Sequence, residues 1–263
     1  MINSDSPIGV FDSGLGGITV LGELQRLMPS EDFIYLGDSK NAPYGTKTED
    51  EVMMHTKNCI NTLLQRNVKA VVIACNTATS VAANELRREF DIPIIGIEPA
   101  VKPAALKYEG KTIIVMATPM TLKKEKFLKL MGNYEKDAEI IPLPCPNLVE
   151  IIEKGIISGK EIDEYIEKLF KPFEKKKISS VVLGCTHYPF IKEALKKYFN
   201  YGVDIIDGGY GTAKETLRRL KEKKLINISQ SFGKIEFINS KNDDDEIKLM
   251  NKMFLHIKKA LNN

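Results

Sequence analysis

No stretch of the 263 residues approaches the roughly 20 consecutive apolar positions that a membrane-spanning helix needs. The amino terminus, MINSDSPIGVF, also lacks the basic and apolar regions of a secretory leader, and none is expected. Cysteine is scarce, and Cys59, Cys75, Cys145 and Cys185 form neither a CxxC pair nor a zinc-ligand spacing. A disulfide-stapled fold and a structural zinc site are set aside, and a cytoplasmic protein with reduced thiols is expected. A concentrated basic excess is missing too. Net charge is only +3, and lysines in stretches such as LKKEKFLKL and FEKKKI alternate with apolar residues, as on solvated helix faces. Neither nucleic acid nor a membrane is therefore expected as a partner.

The chain has 43% hydrophobic and 28% charged residues, the balance of a soluble globular protein long enough for one large or two modest domains. Short apolar runs read as strands: IGVF, FIYLG, AVVIAC, PIIGI, TIIVMA, EIIPL, SVVLGC and VDIID. Helical patterns lie between them: GITVLGELQRLM, EDEVMMHTKNCINTLLQRN, ATSVAANELRREF, PMTLKKEKFLKLMG, KEIDEYIEKLFKPFEKKK and PFIKEALKKYF. This alternation predicts an α/β fold with mainly parallel sheets, whose ligands gather at the carboxyl ends of the strands.

The chain also echoes itself. KAVVIACNTATSVAANELRR resembles SSVVLGCTHYPFIKEALKK, and Cys185 follows Cys75 by 110 residues. PIGVFDSGLGGITVL and KTIIVMATPMTLKKE form a second pair, with Ser13 and Thr118 at the strand ends, 105 residues apart. Two pairs at nearly one offset suggest two related lobes. Boundaries are expected near GIEPAVKPAAL and near DIIDGGYGTAKET, with the tail returning to the first lobe. That gives residues 1–97 and 208–263 as the first α/β lobe and 98–207 as the second.

Buried and inert is the ordinary fate of a lone cysteine. Cys59, inside the amphipathic KNCINTLL, and Cys145, between the prolines of LPCPN, read that way. Cys75 and Cys185 differ. Each ends an apolar strand where a helix begins, a place whose free N–H groups favour a thiolate. Polar residues follow at once: Asn76 and Thr77, then Thr186 and His187. Two thiols from two lobes suit inversion of a carbon centre by proton transfer, which needs a base on one face and an acid on the other. A Cys-dependent hydrolase would use Cys185 with His187 as its base, and would leave Cys75 without a task. A non-catalytic amino-acid-binding protein would explain neither thiol.

FDSGLGG places Asp12 and Ser13 before a glycine-rich turn. It is not the dinucleotide fingerprint, because the place needing a third glycine holds Thr19. Such a helix start suits a phosphate or a substrate carboxylate. NAPYGTK offers turn amides around Pro43 and Gly45. NDDDE reads as a helix start rather than a metal loop.

With DSGLGG, PYGTK, ACNTATS and LGCTHYP in that order, the sequence resembles the bacterial glutamate racemases of the cofactor-independent aspartate/glutamate racemase superfamily, from about Ile8 to Thr216. The resemblance implies two quasi-symmetric flavodoxin-like lobes, the active site in the cleft between them, and a first lobe completed by the C-terminal segment. It implies Cys75 and Cys185 as the acid/base residues, with Asp12 assisting Cys75 and His187 assisting Cys185. Cys75 would take the proton from D-glutamate and Cys185 from L-glutamate. The assisting glutamate of CPNLVEIIEKG falls on Glu153, with Glu150 the competing choice. Implied substrate contacts are Ser13, Pro43, Tyr44, Gly45, Asn76, Thr77, Thr118 and Thr186, with Tyr44 and Gly45 acting mainly through backbone atoms. Three departures from the family pattern touch no proposed catalytic residue. Asn41 stands where an Arg is usual, IDGGYGTA replaces Asp-Ser-Gly, and EPAVKPA lacks the usual Gly.

The resulting expectation is interconversion of L- and D-glutamate for peptidoglycan, with no metal, no pyridoxal phosphate and a homodimeric assembly. Racemisation of aspartate or another amino acid is the alternative within the class. The His after Cys-Thr argues against aspartate, whose racemases usually carry Glu there.

Overall fold

In the computed structural model, which describes residues 2–261, the chain forms two compact units. One gathers the residues up to Glu98 and those from Gly209 onward, and the other is Pro99–Gly208. The chain starts the first unit with β1 (Ile8–Asp12), α1 (Ile18–Leu27), β2 (Phe33–Gly37), α2 (Glu49–Leu64), β3 (Ala70–Ile73), α3 (Asn76–Glu89) and β4 (Ile94–Gly96). It builds the second from α4 (Val101–Lys107), β5 (Thr112–Ala117), α5 (Pro119–Lys123), α6 (Glu125–Gly132) and β6 (Glu139–Pro144). That unit continues with α7 (Leu148–Glu153), α8 (Lys160–Phe170), β7 (Ile178–Leu183), α9 (Lys192–Tyr198) and β8 (Asp204–Asp207). The chain returns to the first unit with α10 (Gly209–Glu222), β9 (Ile235–Asn239) and α11 (Asp244–Leu261).

Every strand pairing is parallel, as the alternation of strands and helices predicts. The sheet of the first unit runs β9-β2-β1-β3-β4 and that of the second β6-β5-β7-β8. Apart from β9 the two orders coincide, with β1 in the place of β5 and β3 in the place of β7. The internal echo is thus a repeat of topology. β1, β2 and β3 are buried at every position, as befits parallel strands covered on both faces by crossover helices. In the second unit Ile113, Val115 and Ala117 of β5 pack with Val101, Ala104 and Ala105 of α4 and with Phe127 and Met131 of α6. β6 carries Pro142 and Pro144, which an edge strand tolerates because one row of its amides is unpaired.

Local chemistry fixes several ends. α2 starts with a capping box, in which Glu51 N donates to Thr48 Oγ1 at 3.3 Å and Thr48 N to Glu51 Oε2 at 2.8 Å. Three expected helices are shorter than their patterns. PMTLKKEKFLKLMG is two helices, because Lys124 is extended (φ −73°, ψ 134°) between α5 and α6. KEIDEYIEKLFKPFEKKK is α-helical only to Phe170, after which Pro172, lacking an N–H, sits in a 3₁₀ turn, Lys171–Phe173. PFIKEALKKYF likewise opens with a 3₁₀ turn at Tyr188–Ile191.

Four further elements, α4, α7, α10 and β9, lie outside those expected. Pro103 sits in the first turn of α4, where a missing N–H costs little, so GIEPAVKPAAL runs into a helix. β9 is a half-buried edge strand that pairs with β2 from Phe33↔Ile235 to Gly37↔Asn239.

Candidate active site

The carboxyl ends of β1 and β3 are neighbours, with Phe11 paired to Ile73. Asp12 is the last residue of β1 and fully buried; its Oδ1 accepts the Gly14 amide at 3.0 Å. Two residues beyond β3, Cys75 caps α3, and its Sγ accepts the Ala78 amide at 3.5 Å. That is the end of a 14-residue helix where an anionic sulfur is stabilised by the unpaired amides and the helix dipole. Ser13 Oγ lies 3.5 Å from the same sulfur. Gly17 lets α1 come close, since a Cβ there would stand 2.6 Å from Asp12 Cβ and 2.9 Å from Ala74 Cβ. Asn76 and Thr77 open α3, both buried, and Asn76 Oδ1 is buried with no hydrogen-bond partner.

Beside this strand end is the turn Pro43, Tyr44, Gly45. The Tyr44 ring is buried, and its hydroxyl donates to Asp38 Oδ2 at 2.7 Å. Burial, then the charges of Cys59 and Asp38, push that phenol far above its ordinary range. A side chain so occupied leaves the turn its backbone to offer. Asn41 Nδ2 donates to both Asp38 oxygens, at 3.0 and 3.1 Å, and the Asp38 amide bonds Asp12 O at 2.9 Å. Asp38 therefore links the turn to the end of β1, a role its place in GDSKNAPYG does not reveal.

The second unit repeats the plan with different partners. β5 ends before Thr118, which caps α5 by accepting Thr121 N at 3.3 Å. β7, its neighbour, ends two residues before Cys185, and Gly184 permits the approach: a Cβ there would meet Met116 O at 2.8 Å. His187 Nδ1 lies 3.7 Å from Cys185 Sγ, and His187 Nε2 is hydrogen-bonded to Glu153 Oε1. Burial works against a charged ring, but hydrogen bonds to Cys185 and Glu153 outweigh it and hold the His187 pKa well above the ordinary value. As an imidazolium the ring donates at both nitrogens, to the carboxylate and to the sulfur. Glu150, one turn earlier on α7, is not the residue bonded to His187.

Thr186 is buried between Cys185 and His187. None of the four cysteines is in a disulfide. Cys59 and Cys145 are buried, and desolvation raises both thiol pKa values, as expected of inert core positions. Among the described residues no helix is long and apolar enough to cross a membrane.

Residues 18–216 match the family described as Asp/Glu/hydantoin racemase. The chain is 53% identical over 251 residues to a glutamate racemase of Clostridium botulinum (strain Kyoto / Type A2), covering 95% of this chain and 98% of that one. It is 55% identical over 253 residues to a glutamate racemase of Clostridium novyi (strain NT), covering 95% and 97%. Among solved structures it resembles glutamate racemase from Francisella tularensis subsp. tularensis SCHU S4 in complex with D-glutamate. There the TM-score is 0.82 at 30% identity, over 96% of this chain and 94% of that one.

Proposed function

This chain belongs to the Asp/Glu/hydantoin racemase family, and we propose that it is a glutamate racemase that interconverts L- and D-glutamate for peptidoglycan. The observation that carries the reading is the repeated strand end. In each unit a thiol lies just beyond a central strand of the sheet, beside a neighbouring strand that is followed at once by Ser13 or Thr118. One thiolate takes the α-hydrogen as a proton, leaving a planar carbanion, and the other thiol returns a proton to the opposite face. The Cys–H bond formed on one side balances the one broken on the other. The reversed protonation state acts on the opposite enantiomer. A further turnover in the same direction follows once the first thiol has lost its proton to solvent and the second has regained one.

On the Cys185 side, His187 donates to the sulfur and Glu153 holds His187 charged. On the Cys75 side, Ser13 and the Ala78 amide approach the sulfur, with Asp12 at the adjoining strand end. Ser13, the Pro43–Gly45 turn, Asn76, Thr77, Thr118 and Thr186 offer the hydroxyls and amides that bind the substrate's carboxylates and ammonium group. A Cys-dependent hydrolase would need only Cys185 and His187. Two copies forming a homodimer is the assembly we propose.

Incubation of the purified protein with each enantiomer of glutamate in D2O tests the reading. Circular dichroism should decay to zero from either side while the α-hydrogen signal disappears by NMR. EDTA and carbonyl reagents should leave the rate unchanged. No inversion of glutamate, or a loss in EDTA that added metal restores, would sink the proposal.

A further inference from the structure

α7, which ends in Glu153, is six residues long and is entered through Asn147 in the left-handed conformation (φ 62°), with no side-chain cap bond. A helix so short has little stability of its own and takes its position from what holds it. Two tyrosine hydroxyls hold its entrance. Tyr188 OH donates to Cys145 O at 3.4 Å, and Tyr165 OH, from α8, donates to Pro146 O at 2.9 Å. Asn147 O then accepts Ile151 N at 3.2 Å, the first bond of the helix, and Leu148 and Ile152 are buried beneath it. Two consecutive carbonyls are thus clamped just ahead of the segment that carries Glu153 to His187.

We propose, resting on the racemase reading above, that Tyr165 is a positioning residue for the Cys185 side. With Tyr188 it fixes the Cys145–Pro146 turn, and so sets how closely Glu153 meets His187. Tyr188 adjoins His187 in the chain, so its replacement would disturb the site directly. Tyr165 touches neither the thiol nor the imidazole. Pro146 is exposed, so its carbonyl takes up water when the hydroxyl is lost and no buried acceptor is stranded.

The titratable groups acting on the His187 ring are Cys185 and Glu153. With only three histidines in the chain, His55, His187 and His256, NMR titration follows each of them directly. In Tyr165→Phe the His187 titration should move down from its wild-type position, while His55 and His256 stay where they are. The glutamate kcat should fall about two- to tenfold, the worth of one hydrogen bond, with KM unchanged. Tyr165→Leu, also without the hydroxyl, should reproduce the shift and serves if the first variant does not fold. A folded variant whose His187 titrates as in the wild type overturns the proposal. Because the titration needs no turnover, that outcome is distinct from failure of the wild type to racemise glutamate.

Discussion

Cys75 and Cys185 are both almost wholly buried, yet the Cys75 sulfur accepts a helix-end amide and the Cys185 sulfur lies against an imidazole that a carboxylate holds, partners that suit a thiolate. Cys75→Ser should lower racemisation in both directions by on the order of a hundredfold to ten-thousandfold, because a serine hydroxyl is a far weaker acid than a thiol. The surviving Cys185 should still exchange the α-hydrogen of L-glutamate with D2O while D-glutamate exchanges much less, and Cys185→Ser should reverse that bias. Equal exchange of both enantiomers by either variant would break the assignment of thiols to faces. For His187→Asn the expected loss in kcat is about tenfold to a thousandfold.

The raised His187 pKa also makes stability depend on pH. Its contribution is fully present below about 6.5, the unfolded value, and is lost as pH rises through the higher folded value. Urea unfolding of wild type and His187→Asn across that range should show the gap between them narrowing toward alkaline pH. A constant gap would mean that the ring is neutral in the fold. Most of these residues were legible in the sequence, since strand, Cys, Thr and His are consecutive. Asp38 and Tyr165 were not: Asp38 stands close to its turn, but no pattern shows that Tyr44 and Asn41 both bond its carboxylate, and Tyr165 bonds a turn 19 residues away in the chain.

At the level of elements, the amino ends of β2 and β3 are joined by a buried ion pair. Lys69, just before β3, meets Glu31, two residues before β2, with side chains 0% and 1% exposed. Lys69 Nζ also donates to Ser4 O, and Glu31 Oε1 accepts Asn227 N at 2.8 Å. Lys69→Met should cost about 3–5 kcal/mol in urea unfolding, because Glu31 would be left buried without its cation. A loss below about 1 kcal/mol would show that water reaches the site. Periodicity located most helices, but it does not see an extended residue such as Lys124 inside a helical pattern. It also overlooked β9, whose short alternation gains meaning only from its pairing with β2.

Over the whole molecule, the C-terminal residues complete the first unit. β9 supplies the edge strand beside β2, and α11 buries Met250, Met253, Phe254 and Ile257. A chain stopped after Gly208 loses β9, α10 and α11, and exposes the face of α1 that packs on α10 and α11. It should be recovered unfolded or aggregated, as judged by circular dichroism and gel filtration. A soluble, cooperatively folding product would show that residues 2–98 suffice for the first unit.

What the sequence by itself determined is the alternation of strands and helices, the internal repeat, and the two thiols with their polar followers. These are local patterns, set by backbone periodicity and by residues adjacent in the chain. Only the tertiary structure decided which glutamate meets His187. Glu150 and Glu153 are three apart on one helix and lie on nearly the same face, so spacing cannot separate them. The choice falls to the position of α7, fixed by the clamped turn before it and by the buried Leu148 and Ile152, and these are contacts between segments distant in sequence.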